Sequence, residues 1–258
     1  MSKVALVVGG GRSLGEYLSK HLAGEGYDVA VVDINYDNAS KVSKEIIETT
    51  NKKSIAISAD ATNEQQVKDM VNKVVEELGR IDVLVYNAGV AKSSKITEFQ
   101  LDTFNWIVNV NLTGYFLCAR EVSRVMIDQG IEGSIIQINS KSGKVGSKHN
   151  TGYSAAKFAG VGLTQSLALD LAEHNIRVNS MMLGNLLDSD MFESLLPQYA
   201  VKLGIKESEV KQVYIDKVPL KRGCAFKDVA DVITFYASEN AHYLTGQSVN
   251  ITGGQVMH

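Results

Sequence analysis

The sequence has few of the residues that build cross-linked or metal-dependent domains. The two cysteines, Cys118 and Cys224, stand far apart in a chain of 258 residues, and the five histidines are scattered. A disulfide framework needs a pattern of paired cysteines, and a zinc site needs Cys or His ligands at short intervals. The sequence therefore predicts neither a disulfide scaffold nor a bound metal.

Long apolar runs and a strong excess of one charge are also missing. No stretch reaches the roughly 20 apolar residues that cross a bilayer. The apolar run at residues 4–8 ends in a glycine cluster, too soon for the apolar core of a signal peptide. The net charge is −3, with no basic stripe interleaved with aromatic residues. We therefore expect a cytoplasmic protein that binds neither membranes nor nucleic acid.

What the sequence does contain is a regular alternation of two patterns. Short β-branched apolar runs predict buried strands at 4–8, 29–33, 54–58, 82–86, 134–139, 177–182 and 248–252. Amphipathic stretches between them predict helices at 14–25, 37–50, 63–78, 99–128, 154–173 and 227–237. This alternation is typical of an α/β, doubly wound parallel sheet of about seven strands with helices on both faces.

One segment, 185–223, interrupts the alternation before the last helix and strand. No linker or repeat divides the rest, so we expect a single domain over 1–258 with 185–223 as a helical insertion. An insertion near the carboxyl ends of the strands is well placed to cover a ligand.

A dinucleotide site is predicted where the first strand ends. Glycines from Gly9 to Gly15 let the backbone approach a pyrophosphate, and the following helix N-terminus favours the anion. Asp33 ends the second strand, where a carboxylate can accept both ribose hydroxyls of NAD. Taken alone, the glycines also suit a simple tight turn, and Asp33 also suits a helix-capping acid. Asp33 would repel the 2′-phosphate of NADP, whereas Arg12 could pair with it; we expect NAD and leave NADP tolerance open.

Tyr153 and Lys157 are four residues apart at the start of a predicted helix, so they share a face. An ammonium about 4.5 Å away would stabilise the tyrosine phenolate by roughly 3–4 kcal/mol at an effective dielectric of 20. We therefore expect the pKa of Tyr153 to fall toward the range that suits general acid–base catalysis. By spacing alone, such a pair is more often a contact on a helix surface than a catalytic pair.

Nearly the whole chain resembles the short-chain dehydrogenase/reductase family. The matching pieces are GGGRSLG at 9–15, Asp33, Asp60–Ala61, YNAG at 86–89, NVNLTG at 109–114, INSKSG at 138–143, YSAAK at 153–157, RVN at 177–179 and TGG at 252–254. The resemblance implies a Rossmann fold, an NAD-dependent oxidoreductase, and a homotetramer in which helices 99–128 and 150–173 pack between subunits.

The resemblance also implies roles for individual residues. Tyr153 would be the general acid/base, and Lys157 would lower its pKa and bind the nicotinamide ribose. Ser140 would hold the substrate oxygen, and Asn111 would support a proton-relay water. The implied cofactor contacts are Gly9, Gly11, Arg12, Ser13, Leu14, Gly15, Asp33, Asp60, Ala61, Asn87, Ala88, Gly89, Tyr153, Lys157, Gly184 and Leu186. The chain departs from the family pattern at Val8, Ser13 and Leu183, which usually hold threonine, glycine and proline.

The loop between Ser140 and Tyr153 is rich in basic residues. Lys141, Lys144, Lys148 and His149 suit a substrate that carries a phosphate or a carboxylate, although solvated surface lysines would give the same pattern. A second basic group, Lys217, Lys221 and Arg222, has the same ambiguity. The rival functions are a different reductase of this family that uses NADP, and a non-catalytic NAD sensor. Such sensors typically lose the catalytic tyrosine or lysine, and both are present here.

Overall fold

Seven parallel strands form one sheet in the computed structural model, which describes residues 2–258. The strands are β1 (Val4–Val8), β2 (Asp28–Asp33), β3 (Ser54–Ser58), β4 (Val83–Tyr86), β5 (Ser134–Ser140), β6 (Arg177–Leu183) and β7 (Ser248–Ile251). Their order across the sheet is β3-β2-β1-β4-β5-β6-β7, and every neighbouring pair is parallel. The predicted doubly wound sheet is confirmed.

Helices cover both faces of the sheet. They are α1 (Ser13–Gly24), α2 (Tyr36–Thr49), α3 (Glu64–Leu78), α4 (Leu101–Val108), α5 (Gly114–Gln129), α6 (Thr151–Leu171), α7 (Asp190–Leu203), α8 (Glu207–Asp216) and α9 (Phe226–Ala237). Within residues 2–258, no helix combines the length and the apolar character needed to cross a membrane.

The two faces of the sheet carry separate apolar cores. Leu6 of β1 points into the core that includes residues of α3 and α5, whereas its neighbour Val7 points into the core that includes residues of α1, α2 and α9. Both side chains are fully buried. Because successive strand residues face opposite sides, burial of both faces requires the continuous apolar runs seen in the sequence.

The prediction of a single helix over 99–128 is wrong in one respect. The observed helical segment begins at Leu101, and a π turn at Asn109–Thr113 divides it into α4 and α5. The side-chain Nδ2 of Asn111 donates to the carbonyl of Ile107 (2.8 Å), the group that its own backbone N–H would bond in an α-helix. The side chain thus competes with the regular helix, and π turns of this kind are frequent at functional sites.

The insertion at 185–223 contributes α7 and α8, which enclose a third, smaller core. Phe192 and Tyr199 of α7 pack against Tyr214 of α8, with ring centroids 5.2 and 5.4 Å from that of Tyr214. The Ser189 hydroxyl accepts a hydrogen bond from the Phe192 N–H (3.2 Å) and so fixes where α7 begins. The aromatic core holds the two helices together above the carboxyl ends of the strands.

Candidate active site

A cavity of about 480 Å³ lies between the carboxyl ends of the strands and the insertion. Its lining includes twelve of the predicted cofactor contacts together with Tyr153 and Lys157: Gly9, Arg12, Ser13, Leu14, Asp33, Asp60, Ala61, Asn87, Ala88, Gly89, Gly184 and Leu186. Gly11 and Gly15 belong to the same glycine turn but are not among the residues that line the cavity. The structure therefore brings the predicted dinucleotide residues together, and their contacts with a cofactor stay a prediction.

The glycine turn requires glycine where the chain passes close to β4. Gly9 has a φ of +75°, and a Cβ there would lie 2.8 Å from the backbone nitrogen of Ala88. A Cβ on Gly15 would overlap the carbonyl oxygen of Gly9. Asn87 donates its Nδ2 to that carbonyl (2.7 Å) and so connects the turn to the end of β4.

Asp33 is buried, and backbone hydrogen bonds hold its carboxylate at the cavity wall. Its Oδ2 accepts from the N–H of Gly11 (3.1 Å), and its Oδ1 accepts from the N–H of Asn35 (3.0 Å). The carboxylate is thereby fixed at the end of β2, next to the glycine turn. This is the position from which an acid contacts the ribose in a doubly wound dinucleotide fold.

Arg12 and Ser13 connect the glycine turn to the insertion. The Ser13 hydroxyl accepts from the backbone N–H of Asp190 (3.3 Å), and Arg12 Nη1 lies 3.7 Å from Asp190 Oδ2. Ser13 has a φ of 52°, a left-handed conformation that glycine adopts at lower cost. The departure from the family glycine thus provides a contact with the first residue of α7, and the neighbouring Arg12 lies near the carboxylate of the same residue.

Tyr153, Lys157 and Ser140 meet in the cavity. Lys157 Nζ lies 5.5 Å from the centroid of the Tyr153 ring and donates to the carbonyl of Ile138 (3.0 Å). Ser140 is the last residue of β5, and its Oγ accepts from the backbone N–H of Ser142 (3.1 Å). A parallel strand and the helix that follows it therefore bring a hydroxyl, a phenol and an amine to one wall.

Burial dominates the ionisation of this group. It raises the pKa of Tyr153 to about 12, although a hydrogen bond with Ser140 acts in the opposite direction. Burial also lowers the pKa of Lys157 to about 8. Loss of hydration disfavours the charged form of both residues. The expectation that the Lys157 ammonium lowers the pKa of Tyr153 is therefore not met: burial of the phenol is the larger effect, and the charge of Lys157 is not among its causes.

Asn111 presents an unsatisfied acceptor toward Lys157. Its Nδ2 donates to the carbonyls of Val90 and Ile107 (both 2.8 Å), whereas its buried Oδ1 has no hydrogen-bond partner within residues 2–258. A Cβ on Gly89 would lie 3.1 Å from this oxygen and 3.9 Å from Lys157 Nζ, so both atoms face the same point. A buried acceptor of this kind suits a bound water. The proton-relay role of Asn111 stays a prediction.

Of the four basic loop residues proposed for substrate, the structure brings only Lys141 to the cavity wall. Its Nζ donates to Gln255 Oε1 (2.6 Å) in the C-terminal segment. A short 3-10 turn at Lys141–Gly143 then redirects the chain, and Lys144 Nζ donates to the carbonyl of Ser248 on β7 (2.7 Å). Lys144, Lys148 and His149 are outside the lining.

Apart from Leu186, the sequence did not identify the cavity residues that the insertion supplies. Met191, Phe192, Leu195, Tyr199 and Tyr214 all line the cavity. Tyr199 lies close enough to Tyr153 to help raise its pKa. The insertion was expected to cover a ligand, but the pattern of α7 predicted only a helix, and its contacts depend on how α7 and α8 pack.

Residues 3–200 match the family model described as short chain dehydrogenase. The chain therefore belongs to the short-chain dehydrogenase/reductase family of oxidoreductases, which use a nicotinamide cofactor.

Individual relatives are similar over the whole chain. Sorbitol-6-phosphate 2-dehydrogenase of Escherichia coli (strain K12) is 63% identical over 258 residues, which cover 100% of both chains. The crystal structure of sorbitol-6-phosphate 2-dehydrogenase SrlD from Erwinia amylovora has a TM-score of 0.96 and 59% identity, covering 98% of this chain and 100% of that one. A structure of NAD+-bound xylitol dehydrogenase has a TM-score of 0.93 and 31% identity, with 98% of each chain covered.

The glycine turn can be tested by adding a methyl group where its backbone is most restricted. We expect Gly9→Ala to lower the free energy of unfolding by about 1–3 kcal/mol, because it combines a left-handed φ with a clash against Ala88. In the control Gly24→Ala, the new methyl group meets nothing within 4 Å at the end of α1, and stability should be unchanged or slightly higher. Denaturant unfolding measures both, and equal stability of the two variants would contradict the geometry.

Proposed function

We propose that this protein catalyses the NAD-dependent, reversible oxidation of D-sorbitol 6-phosphate to D-fructose 6-phosphate, with hydride transfer at C2. The observation that carries the proposal is the full-length 63% identity to the Escherichia coli sorbitol-6-phosphate 2-dehydrogenase. Segments of the insertion, SLLPQYAVKLGIK at 194–206 and YIDKVPLKRGC at 214–224, also resemble that enzyme. The insertion lines the cavity, so the likeness extends to the residues that would meet the substrate.

The geometry of Tyr153, Ser140 and Lys157 supports a mechanism of general base catalysis. The C2 hydroxyl would hydrogen-bond to Ser140 and Tyr153, and the Tyr153 oxygen would take its proton as the hydride leaves C2. When bound, NAD supplies the carbon that accepts this hydride. Lys157 stabilises the phenolate once it forms, because an ammonium close to a buried anion interacts strongly at low dielectric. In the reverse reaction, the phenol of Tyr153 protonates the forming alkoxide.

Proton exchange with solvent needs a path from the buried phenol. Lys157 Nζ and the free Oδ1 of Asn111 face one point, which suits a water that passes the proton onward. The buried carboxylate of Asp33 supports NAD over NADP, since a 2′-phosphate would meet a negative charge there. Arg12 is directed toward Asp190, where its charge is partly compensated.

The proposal includes the assembly and the location of the enzyme. We propose a homotetramer in which α4, α5 and α6 pack between subunits, because these helices expose large apolar side chains such as Phe116, Phe158 and Leu169. We also propose that the chain forms one catalytic domain over 1–258 and acts in the cytoplasm on a small-molecule substrate.

The substrate assignment is tested by following nicotinamide absorbance with sorbitol 6-phosphate and with unphosphorylated sorbitol, each with NAD or NADP. We expect the highest kcat/KM with NAD and sorbitol 6-phosphate. Preference for unphosphorylated polyols, or for NADP with other carbonyl compounds, would favour a different reductase of the family. The absence of turnover with every substrate, despite NAD binding, would favour a dinucleotide sensor.

The pH dependence follows from the raised pKa of Tyr153. With a pKa of about 12, the phenol keeps its proton at neutral pH, so it is ready to act as the acid in ketone reduction. Oxidation needs the phenolate, whose fraction rises with pH up to that pKa, so we expect kcat/KM for oxidation to rise throughout the range from pH 6 to 9, while kcat/KM for reduction stays level.

Tyr153→Phe should lower turnover in both directions by at least about 100-fold. The control Tyr243→Phe changes a tyrosine that is 93% exposed and should leave both rates unchanged. A Tyr153→Phe variant that retained its activity, or an oxidation rate that did not depend on pH, would exclude Tyr153 as the base.

Asp33→Asn tests cofactor choice, because it removes the charge and keeps an acceptor for the N–H of Gly11. We expect the ratio of kcat/KM for NAD to that for NADP to fall by about 10- to 100-fold, the value of one charged hydrogen bond. Asp128→Asn on α5 provides a control of equal charge change. An unaltered ratio in Asp33→Asn would mean that this carboxylate does not contact the ribose.

A further inference from the structure

Four lysines from separate parts of the chain lie near one another at the insertion, with Lys141 in the cavity lining and the other three outside it. Lys141 follows β5, Lys148 precedes α6, Lys202 lies in the last turn of α7 and Lys217 follows α8. The charges of Lys202 and Lys217 act on Lys141, and those of Lys217 and Lys148 act on Lys202. We call these four residues the lysine cluster.

None of the four lysines in the cluster forms an ion pair with an acidic residue within residues 2–258. Lys211 of α8, by contrast, pairs with Asp188 and Glu193 in the same insertion. Burial and the two neighbouring ammonium groups lower the pKa of Lys141 to about 8. Positive charges that repel one another in a partly buried position cost stability unless an anion compensates them. The cluster therefore has the charge pattern of an anion-binding site.

Two cavity-lining tyrosines hold the outer lysines in place. Lys202 Nζ lies 5.5 Å from the ring centroid of Tyr199, and Lys217 Nζ lies 5.2 Å from that of Tyr214. The two rings are 5.4 Å apart and both line the cavity. Stacking on an aromatic ring positions an ammonium without neutralising its charge. Both lysines therefore remain able to bind a ligand anion.

The innermost lysine is held by neutral groups. Gln255 Oε1 accepts from Lys141 Nζ (2.6 Å) and from Asn185 Nδ2 (3.1 Å), and Asn185 lines the cavity. An amide oxygen orients the ammonium while leaving its full charge and its other N–H groups for a ligand. The C-terminal segment thus contacts two residues of the cavity wall, Lys141 and Asn185, through Gln255.

The cavity connects the lysine cluster with the catalytic residues. Lys202 lies over the ring of Tyr199, and Tyr199 and Tyr153 line the same cavity. In an extended polyol, six bonds separate C2 from the phosphorus of a phosphate on C6, so the phosphorus lies roughly 7–8 Å from C2. A substrate with C2 at Tyr153 can therefore extend its phosphate to the insertion side of the cavity.

We propose that Lys141, Lys202 and Lys217 bind the 6-phosphate of the substrate, with Lys148 at the rim, so that the insertion selects phosphorylated over free polyols. This inference rests on the proposed function. It assigns the phosphate to lysines of α7 and of the segment after α8, in addition to the loop lysines that the sequence suggested. A phosphate dianion suits several converging ammonium groups better than a carboxylate does, since it offers more acceptor oxygens and more charge.

The test uses Lys202→Met and Lys217→Met in the full-length enzyme, with kcat and KM measured for sorbitol 6-phosphate and for sorbitol. We expect each variant to raise the KM for sorbitol 6-phosphate by about 10- to 100-fold, with a smaller change in kcat and in the KM for NAD. The preference for phosphorylated over free sorbitol should fall by a similar factor. Lys206→Met removes the same charge from an exposed position between α7 and α8 and should match the parent.

A second measurement separates this inference from the proposed function. Inorganic phosphate should raise the Tm of the parent protein and of Lys206→Met, but not that of Lys202→Met or Lys217→Met. If the parent oxidises sorbitol 6-phosphate and the variants keep its KM, the phosphate assignment is wrong and the function stands. If the parent does not oxidise sorbitol 6-phosphate, the function is wrong, and the phosphate-dependent Tm decides whether the lysine cluster binds anions. A variant with impaired folding is replaced by the corresponding Lys→Gln substitution.

Discussion

Parallel hydrogen bonding between neighbouring strands brings the carboxyl ends of all seven strands to one edge of the sheet, and the candidate site depends on this constraint. The glycine turn follows β1, Asp33 ends β2, Asn87 follows β4 and Ser140 ends β5. These residues are distant in sequence, and only the shared strand direction makes them neighbours. The cavity opens at this edge, where the strands end, and α7 and α8 of the insertion cover it. Asp190 at the start of α7 contacts the glycine turn, so the cover and the dinucleotide site are physically connected.

Buried positive charge is the second organising feature. Lys157 donates to a backbone carbonyl and Lys141 to an amide oxygen, so each lysine is oriented without being neutralised. The cost of burying these charges is offset when an anion forms or binds beside them. For Lys157 that anion is the phenolate of Tyr153, and for Lys141 it is the proposed substrate phosphate. The pKa of Tyr153 is raised and that of Lys157 is lowered, and both shifts come from loss of water, which disfavours the charged form of each group. At neutral pH, Tyr153 therefore keeps its proton, whereas Lys157, with a pKa of about 8, is still mostly an ammonium.

The sequence predicted most of the fold because the strands are short, largely apolar runs, and the central ones, such as β1 and β4, are rich in β-branched residues and buried on both faces. It also predicted the residues that follow the strands, since their position depends only on strand direction. It missed the π turn at Asn109–Thr113, which arises from one side-chain hydrogen bond of Asn111. It also missed Lys202 and could not choose among the basic loop residues, because a one-dimensional pattern does not show that Lys144 turns toward β7. Contacts made by the packing of α7 and α8 are tertiary, and no local pattern encodes them.

The central claim is that hydride leaves C2 of a phosphorylated sugar alcohol and reaches the nicotinamide. It is tested most directly by incubating the enzyme with NAD and sorbitol 6-phosphate that carries deuterium at C2, followed by NMR of both products. The account predicts that deuterium is recovered at C4 of the reduced nicotinamide and that the sugar product is unlabelled fructose 6-phosphate. Deuterium retained in the sugar, or an aldehyde product, would contradict it.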